Sequence, residues 1–207
     1  MSLEWILDES KFLTKEEIAK LRKETQKTYR KALETGAKTP VRNWLVVDLL
    51  MSTGLRVQEA ADLRCGDVYI EGDRSSLVVE KGKGEKRRVV RFSDEFKQHI
   101  LKYLEWKKDI GEPTDLNSPL IYSTNTKDHI SKRGIQEIFK RCAERANVKN
   151  HSSHHLRHTY ATHLYQSSGY NLRLVQKQLG HARITTTTVY ADVFNLDLDK
   201  ALRKLYK

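Results

Sequence analysis

The chain has 207 residues, of which 38% are apolar, and its 38 lysines and arginines outnumber 27 acidic residues to give a formal charge of +11. This length is enough for one large domain or two small ones with a true apolar core. The charge favours a polyanionic partner, because each neutralised phosphate releases counterions, although an RNA-binding, ribosomal or merely basic protein would carry the same excess.

No segment approaches the roughly 20 apolar residues that a membrane-spanning helix needs, and residues 3–9 lack the basic start of a signal peptide. The sequence therefore predicts a soluble, cytoplasmic protein. Cys65 and Cys142 are far apart and show no C-x-x-C spacing. Both are expected to be reduced and structural, which fits that compartment.

The first predicted helix begins after Thr14, which opens a Thr-x-x-Glu capping box, and it ends at Gly36. Residues before Thr14 are predicted to form a linker or an edge piece. A strongly apolar helix over residues 41–52 should be buried and should end at Gly54, after which Arg56 begins the next helix.

Between residues 67 and 92 the pattern changes to short β-branched runs separated by two glycine turns, which predicts a three-stranded antiparallel sheet. Lys83 would lie at the tip of one hairpin, and Pro113 and Pro119 mark one long loop. Further helices are predicted over residues 93–106, 131–147, 153–167, 171–179, 186–192 and 196–206. The expected fold class is α+β and mainly helical, with no repeat and no second domain.

The last quarter of the chain concentrates side chains suited to phosphate chemistry. His154 and Arg157 lie three residues apart on a predicted helix and should share a face, and His181 and Tyr190 follow. Covalent attack on a phosphodiester needs a nucleophilic oxygen, proton carriers and cations, which these residues supply. Because a phenol is only about 0.1% ionised at neutral pH, the nucleophile needs such neighbours. Tyr206 has no such setting, since no histidine lies near it in the sequence.

The histidines of this region also allow a metal site. His154 and His158 have the i, i+4 spacing of a zincin helix. A zincin carries glutamate directly after its first histidine, however, and His155 stands at that position here, so the sequence disfavours a metal site.

Two upstream residues have less specific surroundings. Arg56 alone would be read as a solvated residue at a helix start, but it follows a glycine turn at the end of a buried helix, where a guanidinium fork could meet a phosphate. Lys83 shares its charged turn with Lys81 and Lys86, and composition does not choose among the three.

Five sequence blocks in a fixed order carry a family resemblance. They are residues 53–56 with Glu59, 82–84, 154–158, 179–181 and 186–190. In this order they resemble the catalytic domain of tyrosine recombinases, the phage integrase family that includes the Xer proteins. The resemblance implies a site-specific recombinase or integrase that cuts and rejoins double-stranded DNA through a 3′-phosphotyrosyl intermediate, with neither metal nor cofactor.

The resemblance also implies a role for each matching residue. Tyr190 would be the nucleophile, and Arg56 and Arg157 would hold the non-bridging phosphate oxygens. Lys83 would protonate the leaving 5′-oxygen. His154 would transfer a proton with the tyrosine. His181 would donate a hydrogen bond to the phosphate.

Domain organisation and assembly are also implied by the resemblance. Residues 12–207 would form the catalytic domain and residues 1–11 a linker or edge, without the amino-terminal DNA-clamping domain that is usual in the family. Leu198, Leu202 and Leu205 form an apolar stripe on the last predicted helix. In the family this helix commonly docks on a neighbouring protomer in a DNA-bound tetramer, and docking on its own domain is the alternative.

Two other functions fit part of the pattern. A type IB topoisomerase uses the same tyrosine chemistry, but the Leu-Gly-His block and the threonines before Tyr190 favour a recombinase. A non-catalytic DNA-binding relative would be expected to have lost Tyr190 or an arginine, and every such position is filled.

Overall fold

A computed structural model describes residues 12–70, 75–80 and 87–180. The helices within these ranges are α1 (Lys15–Thr35), α2 (Lys38–Thr53), α3 (Val57–Asp62), α4 (Asp94–Asp109), α5 (Lys132–Arg145), α6 (Ser153–Ser167) and α7 (Leu172–Leu179). The strands are β1 (Val68–Tyr69), β2 (Ser76–Val79), β3 (Arg88–Arg91), β4 (Tyr122–Ser123) and β5 (Asp128–His129). The mainly helical α+β class is confirmed. None of these helices is long and apolar enough to cross a membrane.

Helix α1 begins and ends where its capping residues predict. The Thr14 hydroxyl accepts a hydrogen bond from the Glu17 amide, and the Glu17 carboxylate accepts one from the Thr14 amide. Gly36 closes the helix in the left-handed conformation. Leu13, directly before the cap, is fully buried and donates its amide hydrogen to the Thr159 hydroxyl of α6 at 2.9 Å, so the described chain joins the core from this point.

Helix α2 is the centre of the core. It is buried nearly all round because it packs against α1, α4, α5 and α6, as its continuous apolar sequence predicts. Gly54 ends it in the left-handed conformation, with φ at 62°. Since α2 is fixed on every side, the residues directly after it are placed rigidly.

The three-stranded antiparallel sheet is confirmed, in the order β1-β2-β3. Leu77 lies opposite both Val68 and Val90, and Leu77 and Val90 are fully buried, so one face of the sheet joins the core. The predicted tip at Lys83 lies outside the described residues.

The segment between α4 and α5 is more ordered than the single long loop that its prolines predict. Strands β4 and β5 pair within it. The buried ammonium of Lys107 donates to the carbonyl oxygens of Pro113 and Pro119, which ties the loop to α4. Two-residue strands are too short to leave a periodic signal in the sequence.

Both cysteines are free and buried, as expected for structural thiols. Burial raises the pKa of the Cys142 thiol to about 11, and it also raises the pKa of Cys65. A thiol with a raised pKa is poorly nucleophilic, so neither cysteine is suited to catalysis.

Candidate active site

Arg56 lies at the junction between α2 and α3, where it is the N-cap residue of α3. Its backbone amide donates to Glu59 Oε2 at 2.8 Å, and its Nη1 donates to Glu59 Oε1 at 2.9 Å. The side chain is 41% exposed. The turn therefore orients the guanidinium while leaving part of it open to a ligand.

Gly54, just before this turn, makes a close contact with α6. A Cβ atom built on Gly54 would lie 2.3 Å from Cδ1 of Tyr160, so only glycine allows the end of α2 to approach that ring. The conformation and the contact both require glycine here.

Gly54→Ala should therefore destabilise the domain more than Gly36→Ala. Alanine in the left-handed region costs about 1–2 kcal/mol at either position. At Gly54 the clash with Tyr160 adds an overpacking cost of about 1–3 kcal/mol, whereas at Gly36 a Cβ meets nothing within 4 Å. Urea unfolding of both variants measures the difference, and equal losses of stability would contradict the tight contact.

Arg157 lies in α6 with a buried side chain, 8% exposed, and it links the ends of two other helices. Its Nη1 donates to the carbonyl oxygen of Gly54 at 2.6 Å, and its Nη2 donates to that of Leu179 at 2.9 Å. Because the last carbonyls of a helix carry partial negative charge, two helix ends stabilise this buried cation.

Glu59 collects three arginines around one carboxylate. Arg88 Nη1 and Nη2 donate to its two oxygens at 2.8 and 2.7 Å, Arg56 donates at 2.9 Å, and Arg157 Nη1 lies 3.9 Å from Oε2. Burial alone would raise the pKa of Glu59, but Arg88, the Arg56 amide and Arg157 lower it to about 2. At neutral pH this Glu59 cluster, formed by Arg56, Glu59, Arg88 and Arg157, holds three cations and one anion.

Helix α7 is anchored beside this cluster by Gln178. The Gln178 amide nitrogen donates to the Arg91 carbonyl of β3 at 2.6 Å and to the Tyr160 hydroxyl at 2.9 Å. Its amide oxygen accepts from the Arg91 amide at 3.3 Å. The end of α7 at Gly180 is thus fixed to both the sheet and α6, and His181 follows directly.

His154 occupies the first turn of α6, one turn before Arg157, and its side chain is exposed. The two residues lie one turn apart on α6, as the predicted shared face requires, but Arg157 is buried where it binds the ends of α2 and α7. The exposed His154 is accessible to a ligand.

The other histidines of this region make separate contacts. His155 Nδ1 lies 3.2 Å from His151 Nδ1, and His151 Nε2 lies 3.2 Å from a carboxylate oxygen of Glu17 on α1. In the part of the chain that the structure describes, no three His, Cys, Asp or Glu side chains gather as possible metal ligands.

Of the six residues predicted for the site, Arg56, His154 and Arg157 fall within the described ranges. Arg56 and Arg157 converge on one carboxylate, and His154 lies a turn from Arg157 on α6. The other three predictions, Lys83, His181 and Tyr190, lie outside the described residues. The sequence analysis named Glu59 only as part of the block around Arg56 and gave it no role in the site, and it missed Arg88 entirely.

Comparison with known proteins decides the family. The sequence model of the phage integrase family matches residues 11–196. The chain belongs to the phage integrase family. A tyrosine recombinase XerA of Pyrococcus horikoshii is 35% identical over 167 residues, which make up 79% of this chain and 55% of that protein.

Solved structures of the phage integrase family agree with the fold. The crystal structure of a XerA recombinase superposes with a TM-score of 0.70 at 26% identity, over 94% of this chain and 63% of that one. The XerH site-specific recombinase bound to difH substrate, in a pre-cleavage complex, gives 0.74 at 26% identity over 99% and 55%. The fold is that of a tyrosine recombinase catalytic domain, and the chain spans a little over half the length of the XerA protein from Pyrococcus horikoshii.

Proposed function

We propose that this chain is the catalytic domain of a site-specific DNA recombinase that cuts and rejoins strands through a 3′-phosphotyrosyl intermediate. The observation that carries the proposal is the convergence of Arg56 and Arg157 on Glu59, since two guanidinium groups within 4 Å of one carboxylate lie close enough to share one phosphate. Membership of the phage integrase family supports it.

The proposed reaction is a pair of transesterifications. The Tyr190 oxygen forms a bond to the scissile phosphorus while the bond from phosphorus to the 5′-oxygen breaks. The phenol proton passes to His154, and Lys83 donates a proton to the departing 5′-oxygen. His181 donates a hydrogen bond to the phosphate. The reverse steps, with the 5′-hydroxyl of another strand as nucleophile, rejoin the DNA.

The charge of the Glu59 cluster suits this reaction. Three arginines and one carboxylate leave a net charge of about +2, and the phosphate gains negative charge as the fifth bond to phosphorus forms. Glu59 stays ionised because its pKa is about 2, so the cluster keeps this charge throughout the neutral range. The cations are oriented before the substrate arrives, which is the condition for strong transition-state stabilisation.

A test of the proposal uses nicked duplexes with a randomised core. Cleavage next to the nick releases a short fragment, so the covalent adduct accumulates and can be recovered by denaturing electrophoresis and sequenced. We expect a 3′-linked phosphotyrosyl adduct at a defined sequence. Absence of any adduct across the pool would reject the proposal.

A second assay separates strand exchange from simple relaxation. The selected duplex sequence, placed twice in a supercoiled plasmid, should give recombinant products with the full protein. Relaxation of plasmids that lack the sequence, without recombinants, would favour the type IB topoisomerase alternative.

Cleavage should not require a divalent metal. The positive charge at the phosphate comes from Arg56 and Arg157, together with Lys83, His154 and His181. Adduct formation in excess EDTA should therefore stay within about twofold of its rate without chelator. Activity that returns only when magnesium or zinc is added would support the alternative that the histidines form a metal site.

Duplex DNA is the proposed partner, and the similar XerH site-specific recombinase, solved bound to its difH substrate, supports it. Proposed assembly is a tetramer on DNA in which the helix predicted over residues 196–206 docks on a neighbouring protomer. A DNA substrate and two buried thiols fit a cytoplasmic protein.

Deleting the chain from Leu196 onward tests the assembly. Strand exchange and cooperative binding to paired sites should fall more than adduct formation on a single nicked duplex, because only the former need neighbouring protomers. Full strand exchange by the shortened chain would contradict docking in trans, and an unfolded product would instead support docking on its own domain.

A further inference from the structure

Arg88 is an arginine of β3 for which the proposed chemistry has no direct use. Its guanidinium binds Glu59 with both terminal nitrogens, at 2.8 and 2.7 Å, and its side chain is 8% exposed. Arg56, which binds the same carboxylate, is 41% exposed. Arg88 therefore lies on the interior side of the Glu59 cluster.

Arg88 also lies against the end of α7. A Cβ atom added to Gly180 would be 2.3 Å from Arg88 Cδ and 2.8 Å from Arg88 Nε. The aliphatic part of the arginine thus covers the turn that leads into His181. One side chain therefore connects β3, the first turn of α3 and the end of α7.

The two hydrogen bonds from Arg88 determine how Glu59 is oriented and how much of its negative charge acts on Arg56 and Arg157. A bidentate arginine–carboxylate pair is strong and fixes the plane of both groups. With Arg88 on both oxygens, Glu59 is held in the orientation in which it also accepts from the Arg56 amide and from Arg56 Nη1. If Arg88 were absent, the whole negative charge of Glu59 would act on Arg56 and Arg157, and both would bind a phosphate more weakly.

We infer that Arg88 is a positioning residue for strand cleavage. It holds Glu59 and the end of α7 so that Arg56 and Arg157 meet the scissile phosphate, and it neutralises Glu59 from the interior without contacting DNA. This inference rests on the proposed function.

The test compares Arg88→Met and Arg88→Lys with Arg91→Met. Arg91 is on the same strand, is exposed, and contacts Gln178 only through its backbone, so it controls for loss of a cation from β3. Single-turnover adduct formation is measured on the nicked duplex selected with the wild-type protein. Each rate is measured with a normal scissile phosphate and with a neutral methylphosphonate.

On the normal phosphate we expect Arg88→Met to form adduct about 100-fold more slowly than wild type, in the range found for losing one transition-state donor. DNA affinity should change by less than about threefold. On the methylphosphonate the deficit should shrink to a few-fold, because less charge then builds up for the arginines to stabilise. Arg91→Met should match wild type on both substrates.

Adding Glu59→Gln to Arg88→Met extends the test. The double variant should cleave faster than Arg88→Met alone, because the unbalanced carboxylate is gone. If Arg88→Met does not fold, Arg88→Lys keeps the charge without the fork, and the same two-substrate comparison applies to it.

Two results would overturn the inference. Equal deficits on both substrates would show that Arg88 only supports the fold, and an undiminished rate would show that cleavage does not need it. A wild-type protein that forms no adduct on any duplex rejects the proposed function itself, so the two failures are distinguishable.

Discussion

Tyr190→Phe should abolish covalent attachment to DNA while leaving DNA affinity within about twofold of wild type. The substitution removes one hydroxyl oxygen, which is the only atom of the side chain that can form the bond to phosphorus, and it changes no charge. Because binding to duplex DNA depends mainly on lysine and arginine contacts with phosphates, affinity should be retained. Denaturing electrophoresis on the nicked duplex measures the adduct, and a filter or mobility assay measures binding.

Tyr206→Phe is the matched control for that experiment. It makes the same chemical change in a tyrosine that has no histidine near it in the sequence, so its adduct yield should equal that of wild type. A persistent adduct in the Tyr190→Phe protein, mapped to Tyr206 or to another tyrosine, would refute the assignment of the nucleophile.

Much of the helical framework could be predicted because its boundaries are set by local chemistry. Thr14 and Glu17 satisfy each other's backbone amides within one turn, and Gly36 and Gly54 adopt conformations that other residues avoid. These signals lie within four residues of the feature that they determine. The three-stranded sheet was predictable for a similar reason, since short runs with β-branched residues alternate in the sequence with segments that contain glycine.

The centre of the site depends on distant parts of the chain and could not be predicted in the same way. Arg88 meets Glu59 across 29 positions of sequence, and Arg157 binds the Gly54 carbonyl across 103. Strand alternation puts Arg88 on the same face as Val90 and puts Arg91 on the other, but no local pattern shows that Glu59 lies beneath that face. Only the fold shows this contact.

The same limit applies to two further contacts. Leu13 directly precedes a helix cap, yet a hydroxyl of α6, 146 positions away, binds its amide. Helical spacing placed His154 and Arg157 on one face, but spacing contains no information on what covers that face. Arg157 is buried, and its guanidinium binds the carbonyl groups at the ends of α2 and α7.

Arg56→Lys and Arg157→Lys should each slow strand cleavage by at least about 100-fold, but they should differ in stability. Lysine keeps the charge and loses the planar fork, so it cannot hold two phosphate oxygens at once. At Arg157 the fork also joins two helix ends through buried hydrogen bonds. Losing it should lower the free energy of unfolding by about 1–3 kcal/mol. At the part-exposed Arg56 the loss should stay below about 1 kcal/mol, as for other exposed ion pairs.

Single-turnover cleavage and urea unfolding of the two variants separate these effects, and DNA affinity should fall only modestly in both. Comparison with the methylphosphonate substrate adds a check, because the cleavage deficit of each variant should shrink when the phosphate carries no charge. Near-native cleavage by either lysine variant would show that a point charge is sufficient at that position. The proposal that this arginine binds two phosphate oxygens with its planar guanidinium would then be wrong. Equal stability of the two variants would mean instead that the ends of α2 and α7 are held together without Arg157, most directly by Gln178 and by the packing of Gly54 against Tyr160.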